Sequence, residues 1–595
     1  MNLRGLLDAR LTDHDDIFRM RTTQDTFSPA MSSLALEIDP PRSRQHATLA
    51  DVLGWRAAHQ PDRLGYRFLL DGDAHEVTLT YGDLDRRARA IAATLRSLHA
   101  AGERVLLIYP PGLDFITAWF GCAYAGSAAV AVPPPQPARA RRFVLTTAAI
   151  ANDARPALGL TTAAMSPSLS AAQLGGIRWI ATDVDANLKA PADAPGPETS
   201  PGADAIAFLQ YTSGSTATPR GVMVTHANLM VNLQAIERTF WRPGDESSVS
   251  WLPPYHDMGL IGAILAPLYL GSPVTLLSPL TFVQRPVRWL QAISRYRGAV
   301  SGGPSFAYDL CVRRITAEQR AGLDLSCWRV AFNGAEPINP RTIREFTDQF
   351  ASCGFVPEAF TPCYGLAEAT LLVSVTERSA TPCLQAFRRD ALEHHDAVRC
   401  AEDCADARLL ASSGQPVVPV QIVDPDSGTP CAPGVIGEIV VAGPSVARGY
   451  WNQPALSSQI FGEFLRTGDL GFLLDGELFV TGRLKDLIII DGTNHYPQDI
   501  ERTVGASHPA LDAGDCAAFE VEVDGREALV VVAAVQSAAR QSLDDVHRAI
   551  RAAVAEQHDL HIHDLRLVKR GDIPKTASGK VRRAACRTAY LEEAK

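Results

Sequence analysis

From Thr48 onward the chain alternates two hydrophobic periods. Thr48-Leu49-Ala50-Asp51 has the form of a capping box, a hydroxyl residue followed three positions later by a carboxylate, and predicts the start of an amphipathic helix. A second helical pattern covers Tyr81–Leu98, and Arg104–Tyr109 is a short apolar run of strand type. Phe115 to Val132 carries no charge over 18 residues. It follows Asp114, is rich in Ala and Gly, and runs into Pro133-Pro134-Pro135, so it predicts a buried helix feeding a buried strand near Ala128–Val132 rather than a membrane span. Strands alternating with helices, which resume after a surface loop at Asp185–Asp204 and continue to about Val375, predict a parallel sheet. Short strands and turns between Pro416 and Tyr450 predict a small barrel-like β unit. The polar stretch Thr481–Leu487 then sets off a last segment with its own strand at Ala528–Val535. Residues 1–47 have weak periodicity and read as a mobile leader, with Met31 an alternative start. The expectation is an α/β protein: a large multi-subdomain N-terminal body (48–484, with an insertion at about 380–410) and a small α+β C-terminal domain (485–595).

Length supports this division, because 595 residues exceed what one hydrophobic core organises. A net charge of −10 argues against nucleic acid as a partner. The 11 cysteines are scattered without a CxxC, and Cys400 and Cys404 lack partner ligands at zinc spacing; reduced thiols in a cytoplasmic protein are expected. No stretch has the form of a secretory signal. Basic residues are skewed to 50 Arg against 6 Lys, which makes each lysine conspicuous.

The first segment with chemistry runs from Tyr211 to Gly221: Thr212, Ser213, Gly214, Ser215 and Thr216, then Arg220. Small hydroxyl residues and glycine at a strand end leave backbone N–H groups free to hold an anion, and Arg220 adds a fixed charge. No GK[ST] closes the loop, so it is not a Walker A sequence. It resembles the signature loop of the acyl-adenylate-forming superfamily, although that family usually has glycine at Ala217 and lysine at Arg220.

Further blocks follow in the same order. Trp251–Leu260 contains His256-Asp257 and resembles the second core block; Asn333-Gly334-Ala335-Glu336-Pro337 resembles the segment that lines adenine. In Tyr364-Gly365-Leu366-Ala367-Glu368 the resemblance implies that Tyr364 stacks on adenine and Glu368 helps hold Mg²⁺, with Thr216 as a second metal contact. It implies that Asp469, in Thr467-Gly468-Asp469, accepts both ribose hydroxyls, that Arg483 adds to the nucleotide site, and that Lys485, in Gly482–Asp486, is a hinge. The last block, Pro574–Lys580, would carry the catalytic lysine, Lys580. These roles agree with side-chain chemistry: an aromatic face suits a purine, a carboxylate can accept a diol, and a hard oxygen suits Mg²⁺. Because a carboxylate substrate is already ionised, His256 is expected to position the acyl group rather than move a proton.

Between Glu368 and Gly414 lie 45 residues, more than acyl-CoA synthetases carry. That insertion, with Tyr364–Thr370 and Asn494–Glu501, resembles the fatty acyl-AMP ligase branch. The resemblance implies ATP- and Mg²⁺-dependent conversion of a fatty acid to its acyl-AMP. The inserted segment would pack on the small domain, and the acyl group would pass to the phosphopantetheine thiol of a separate acyl carrier protein or polyketide/peptide-synthase carrier domain. A long- or medium-chain fatty acyl-CoA synthetase and an inactive nucleotide-binding homologue are the alternatives; Lys580, Glu368 and Asp469 together count against the second. Eight Lys/Arg between Arg566 and Arg587, against one acid, suggest a docking patch for an acidic carrier, with Arg582 and Arg583 at its centre.

Overall fold

The computed structural model describes residues 46–135, 140–172, 174, 176–184, 201–212, 219–245, 247–490, 493–511, 513–523, 526–535, 543–576 and 580–593. The leader through residue 45, most of the Asp185–Asp204 loop, Ser213 to Thr218 and Ser578-Gly579 lie outside the described residues. Helix Leu49–His59 opens with the expected capping box: the Asp51 N–H donates to Thr48 Oγ1 (3.2 Å) and the Thr48 N–H donates to the Asp51 carboxylate (3.1 Å).

The described residues of the body include two large sheets with helices against them. A six-stranded sheet has the spatial order Trp179–Ala181, Leu158–Thr161, Arg104–Leu107, Ala128–Ala131, Ile206–Thr212, Arg220–Thr225, parallel except for its last strand. The uncharged run resolves as anticipated into the buried helix Asp114–Ala125, stopped by left-handed Gly126, and the buried strand Ala128–Ala131. A nine-stranded sheet reaches from Gln415–Pro416 to Glu76–Thr80. Four of its central strands, Ser247–Ser250, Gly298–Gly303, Val330–Asn333 and Phe360–Gly365, run parallel to one another. Their carboxyl ends therefore open on one edge, where ligands of open α/β sheets collect.

The β unit differs from expectation. Val420–Val423, Gly437–Val441, Leu465–Leu474 and Glu477–Arg483 make an open antiparallel meander with no closing pair, because four strands leave too little circumference for a barrel. The insertion is a small unit of its own: strands Leu384–Arg388 and Ala407–Ala411 pair antiparallel, with helix Arg389–Glu393 between them. After the turn Leu484–Asp486, strands Cys516–Val523, Arg526–Val535 and Ile562–Lys569 form a sheet. Helices Pro497–Ser507 and Leu543–His558 share with it a core that includes Ile500, Val531 and Ile550, and helix Arg583–Glu593 adds Cys586 to a second cluster with Ala517 and Phe519. No described helix is long and apolar enough to cross a membrane.

Candidate active site

A cavity of about 1500 Å³ lies at the carboxyl edge of the large sheet, between the body and the C-terminal segment. Its size exceeds the roughly 300–1,000 Å³ of a single small-molecule pocket and suits two substrates. Three of the sequence blocks reach it because each follows one of the parallel strands: Trp251 onward after Ser247–Ser250, Ala335-Glu336 after Val330–Asn333, and Tyr364–Glu368 at the end of Phe360–Gly365.

The most connected group surrounds Asp469. Tyr364 donates its hydroxyl to Asp469 Oδ2 (2.8 Å), and Arg483 Nε approaches Oδ1 (2.9 Å) from the neighbouring strand, where Arg483 is the cross-strand partner of Asp469. Glu368 forms a second group. Its Oε1 accepts the Tyr450 hydroxyl (2.8 Å), and the Arg220 guanidinium lies over the Tyr450 ring (5.5 Å). Burial pushes the Glu368 carboxyl above its ordinary range, only partly offset by Tyr450. Thr212 and Arg220 are cross-strand partners on the cavity wall. Ser213, Gly214, Ser215 and Thr216, expected to cradle phosphate between them, lie outside the described residues.

His256 Nδ1 meets Asp257 Oδ1 at 2.6 Å, and the Met258 N–H donates to the same oxygen (2.7 Å). Burial alone would push Asp257 up; His256, the Met258 N–H and Lys580 outweigh it and hold the carboxyl below its usual range. Glu336 accepts the Phe306 N–H (2.8 Å), and burial raises its carboxyl against the opposing pull of that bond and of Lys580. Ala335 beside it takes a left-handed conformation (φ 67°), a strained backbone at the cavity wall. Asn333 and Gly334 are not on that wall. Asn333 is buried, accepts the Ser305 hydroxyl (3.2 Å) and has no partner for its Nδ2; a Cβ at Gly334 would stand 2.7 Å from the Cys363 carbonyl oxygen, so the two strand ends pack closely there.

Lys580 enters this cavity from the C-terminal segment. The Lys580 N–H donates to Thr576 Oγ1 (3.0 Å) and its carbonyl accepts the Thr576 N–H (2.7 Å), which fixes the Lys580 backbone against Thr576. Burial lowers its pKa and Arg483 lowers it further, while Glu336, Asp257 and Asp469 oppose them, so the ammonium stands among the carboxylates of the site. Lys485 is exposed in the Leu484–Asp486 turn at the mouth, where the chain passes from the meander to the small sheet. Tyr450 and Asp257 also touch this machinery. Tyr450 stands outside every block read from sequence, and only its place after left-handed Gly449 hints at a special backbone.

The insertion lies against the C-terminal segment. Arg408 pairs with Asp499 (2.9 Å) and its guanidinium lies over the Tyr496 ring (4.5 Å). Asn494 donates to the Glu393 carbonyl (3.1 Å) and bonds His395 Nε2 (2.9 Å), and Arg389 bonds His558 (3.3 Å). The stretch Asn494–Glu501 is thus the surface that meets the insertion. Part of the basic run Arg566–Arg587 is paired within the C-terminal segment. Arg583 makes two bonds to Glu501 (both 2.7 Å) and one to Asp486 (3.0 Å); Arg566 pairs with Asp564 and Glu593, and Arg570 and Lys575 with Asp515. Four of the eight charges thus have carboxylate partners inside their own domain, and Arg583 braces that domain internally.

The AMP-binding enzyme family profile matches residues 53–451, and the AMP domain of Disco-interacting protein 2-like proteins matches 485–595. The chain belongs to the AMP-binding, acyl-adenylate-forming family, in its fatty acyl-AMP ligase branch. It is 44% identical to the medium-chain-fatty-acid–[acyl-carrier-protein] ligase JamA of Moorena producens, over 92% of this chain and 96% of that one. It is 38% identical to the long-chain-fatty-acid–AMP ligase FadD26 of Mycobacterium marinum, over 92% and 97%. A solved fatty acyl-adenylate ligase from L. pneumophila, in complex with acyl adenylate and pyrophosphate, superposes with a TM-score of 0.73 at 41% identity and covers 93% and 98%.

Proposed function

We propose that this enzyme joins a fatty acid to AMP, releasing pyrophosphate, and then hands the acyl group to the phosphopantetheine thiol of a separate acyl carrier protein or synthase carrier domain in the cytoplasm. The observation that carries the first half is Lys580 among Asp257, Glu336, Asp469 and Arg483 in one cavity. Attack of a carboxylate on the α-phosphorus brings two anions together, and the Lys580 ammonium, with Arg220 and Arg483 lining the same cavity, offsets the charge that develops. Asp469, held at both oxygens, presents a carboxylate for a ribose diol, and Tyr364 an aromatic face for the base. The His256–Asp257 pair fixes the position of the substrate carboxylate. Enclosure by the C-terminal segment, hinged at Lys485, keeps water from a labile mixed anhydride.

Glu368 fits a magnesium ion. It is a half-buried carboxylate on the cavity wall, compensated by the Tyr450 hydroxyl, its own backbone N–H and the Arg483 charge, and Mg²⁺ takes one or two carboxylates with phosphate oxygens. When bound, the ion would neutralise phosphate charge; Thr216 is its second proposed contact.

The choice of a carrier over free coenzyme A rests on the insertion. Its bonds to Asn494, Asp499 and His558 hold the C-terminal segment where Lys580 faces the cavity, which disfavours a second orientation open to coenzyme A. The carrier-ligase names of relatives support the same choice. The test supplies ATP, Mg²⁺ and a fatty acid with either coenzyme A or a holo carrier protein. Acyl-AMP followed by acyl-carrier is expected; rapid acyl-CoA formation would overturn the acceptor assignment, and absence of acyl-AMP the whole reading.

A further inference from the structure

The helix after His256-Asp257 begins with wide π-type turns, Met258–Leu265, and continues as the α-helix Ala266–Leu270. It contains two glycines in different situations. At Gly259 a Cβ would lie 2.0 Å from the Pro253 carbonyl oxygen, so the close approach of the preceding loop requires glycine. At Gly262 the nearest atom is Leu371 Cδ2 at 3.9 Å, an ordinary contact, so packing does not require glycine. Glycine also weakens a helix interior. Yet Gly262 is the single residue of Met258–Leu265 that is not buried, and it lines the cavity.

The cavity-lining residues of this helix are Met258, Gly262, Ala266 and Leu270, one every four positions. Every fourth residue lags slightly in a π turn and leads slightly in an α turn, so the mixed helix keeps these four in a nearly straight row. The row starts beside the His256–Asp257 pair, where Lys580 reaches in, and ends at half-buried Leu270, at most about 18 Å away at the α-helical rise. The facing wall is Ile236, Phe240, Trp241, Phe332 and Leu371, with Phe240 stacked on Phe332 at 6.1 Å. Side chains of both walls are apolar. The groove therefore has its large residue at the reacting end, two minimal residues in the middle, and Leu270 at the far end.

We propose that Gly262 and Ala266 are the residues that set acyl length: the missing side chains at these two positions are the space occupied by the middle of an extended hydrocarbon chain. The inference rests on the fatty-acid reading above and sharpens it. A side chain added at Gly262 shortens the groove near its start, and one added at Ala266 shortens it one turn later. The two positions must cut off acids at different lengths, in that order.

The test is ATP–pyrophosphate exchange over straight-chain acids from butanoate to hexadecanoate, with wild type, Gly262→Ala, Gly262→Leu and Ala266→Leu. The wild type is expected to show an optimum among the longer acids. Gly262→Leu should lose those acids by tenfold or more, since misfit of even one methylene in an apolar pocket costs about 10–200-fold, while keeping the shortest. Ala266→Leu should cut off at a greater length than Gly262→Leu, and Gly262→Ala should weaken, less steeply, the same acids that Gly262→Leu excludes. Retained activity on short acids reports intact folding within the same assay; if Gly262→Leu does not fold, Gly262→Ala and Ala266→Leu decide. Uniform loss across all acids, one common cut-off, or unchanged profiles would overturn the assignment. A wild type that adenylates no straight-chain acid would instead overturn the function from which it starts.

Discussion

The two arms of the cavity are built on opposite principles. The nucleotide arm is crowded with polar groups that already bind one another: Tyr364 and Arg483 hold Asp469, Tyr450 holds Glu368, and His256 holds Asp257. The acyl arm is defined by what is absent, a glycine and an alanine in a helix face otherwise filled by Met258 and Leu270. Chemistry that all adenylating enzymes share needs fixed charges at fixed places. Choice among homologous acids needs only volume, because the acids differ only by methylenes. A change in the first arm should therefore act on every substrate alike, and a change in the second on some substrates only.

The largest test of this division is Lys580→Ala. It should lower kcat/KM for adenylation about 10²–10³-fold, the scale of one preorganised electrostatic group, and by the same factor for short and long acids. A chain-length-dependent loss would break the comparison. The pH profile adds a sign. Burial, then Arg483, lowers the Lys580 pKa, so the free enzyme should lose its ammonium at a lower pH than an ordinary lysine. Adenylation should fall as pH rises through that lowered value. In Lys580→Arg, which keeps its charge, that alkaline decline should disappear even at reduced kcat.

Tyr450→Phe comes next. It removes one hydrogen bond to a half-buried carboxylate, about 1.5–3 kcal/mol, so roughly a 10- to 100-fold loss is expected. The loss should appear as a raised requirement for Mg²⁺ and ATP, again equal across acids. An unchanged Mg²⁺ titration would show that Tyr450 only packs against Arg220.

How much of this was legible follows the same line. The helix at Leu49, the buried helix and strand at 114–131, and the parallel sheets came from periodicity, because burial imposes it. Lys580, Glu368, Asp469, Tyr364, Glu336 and His256 came from motifs, and the fold brings all six to one cavity. Asn333 and Gly334 belong to the same motif yet lie off the wall, since adjacency in sequence does not say which way a strand end faces. Tyr450 escaped because a lone aromatic after glycine has no chemical signature. The internal partners of the basic run, Glu501, Asp486 and Asp515, could not be read because they are distant in sequence. Gly262 was invisible for a deeper reason: a glycine demanded by packing and a glycine demanded by a ligand are the same letter.

The seam between insertion and C-terminal segment offers a smaller, more selective effect. Arg408 and Asp499 are both nearly buried, 6% and 10% exposed, and removing Arg408 leaves Asp499 only its longer contact with Arg502 (3.4 Å), a penalty below the about 3–5 kcal/mol of a wholly unpaired buried charge. Much of that penalty falls on how firmly the C-terminal segment sits, and Lys580 rides on that segment. Arg408→Met should reduce adenylation several-fold for all acids and let measurable acyl-CoA form. Arg408→Met with Asp499→Leu removes both charges and should recover adenylation, which stability and exchange assays on the three variants would read as a coupling. Additive losses would detach the pair from the seam.

The smallest expected effect separates Arg582 from Arg583. Arg583 braces Glu501 and Asp486 at the start of the last helix, so Arg583→Glu would put three carboxylates together and should disturb the whole C-terminal segment, lowering its melting temperature and both half-reactions. Among the described residues Arg582 has no carboxylate partner of this kind, and it lines the cavity. Arg582→Glu should leave the melting temperature and acyl-AMP formation near wild type while slowing transfer to an acidic carrier, an effect that fades as salt rises. Equal loss in the two half-reactions, or a transfer rate indifferent to salt, would exclude Arg582 from docking and leave the basic run with a purely internal role.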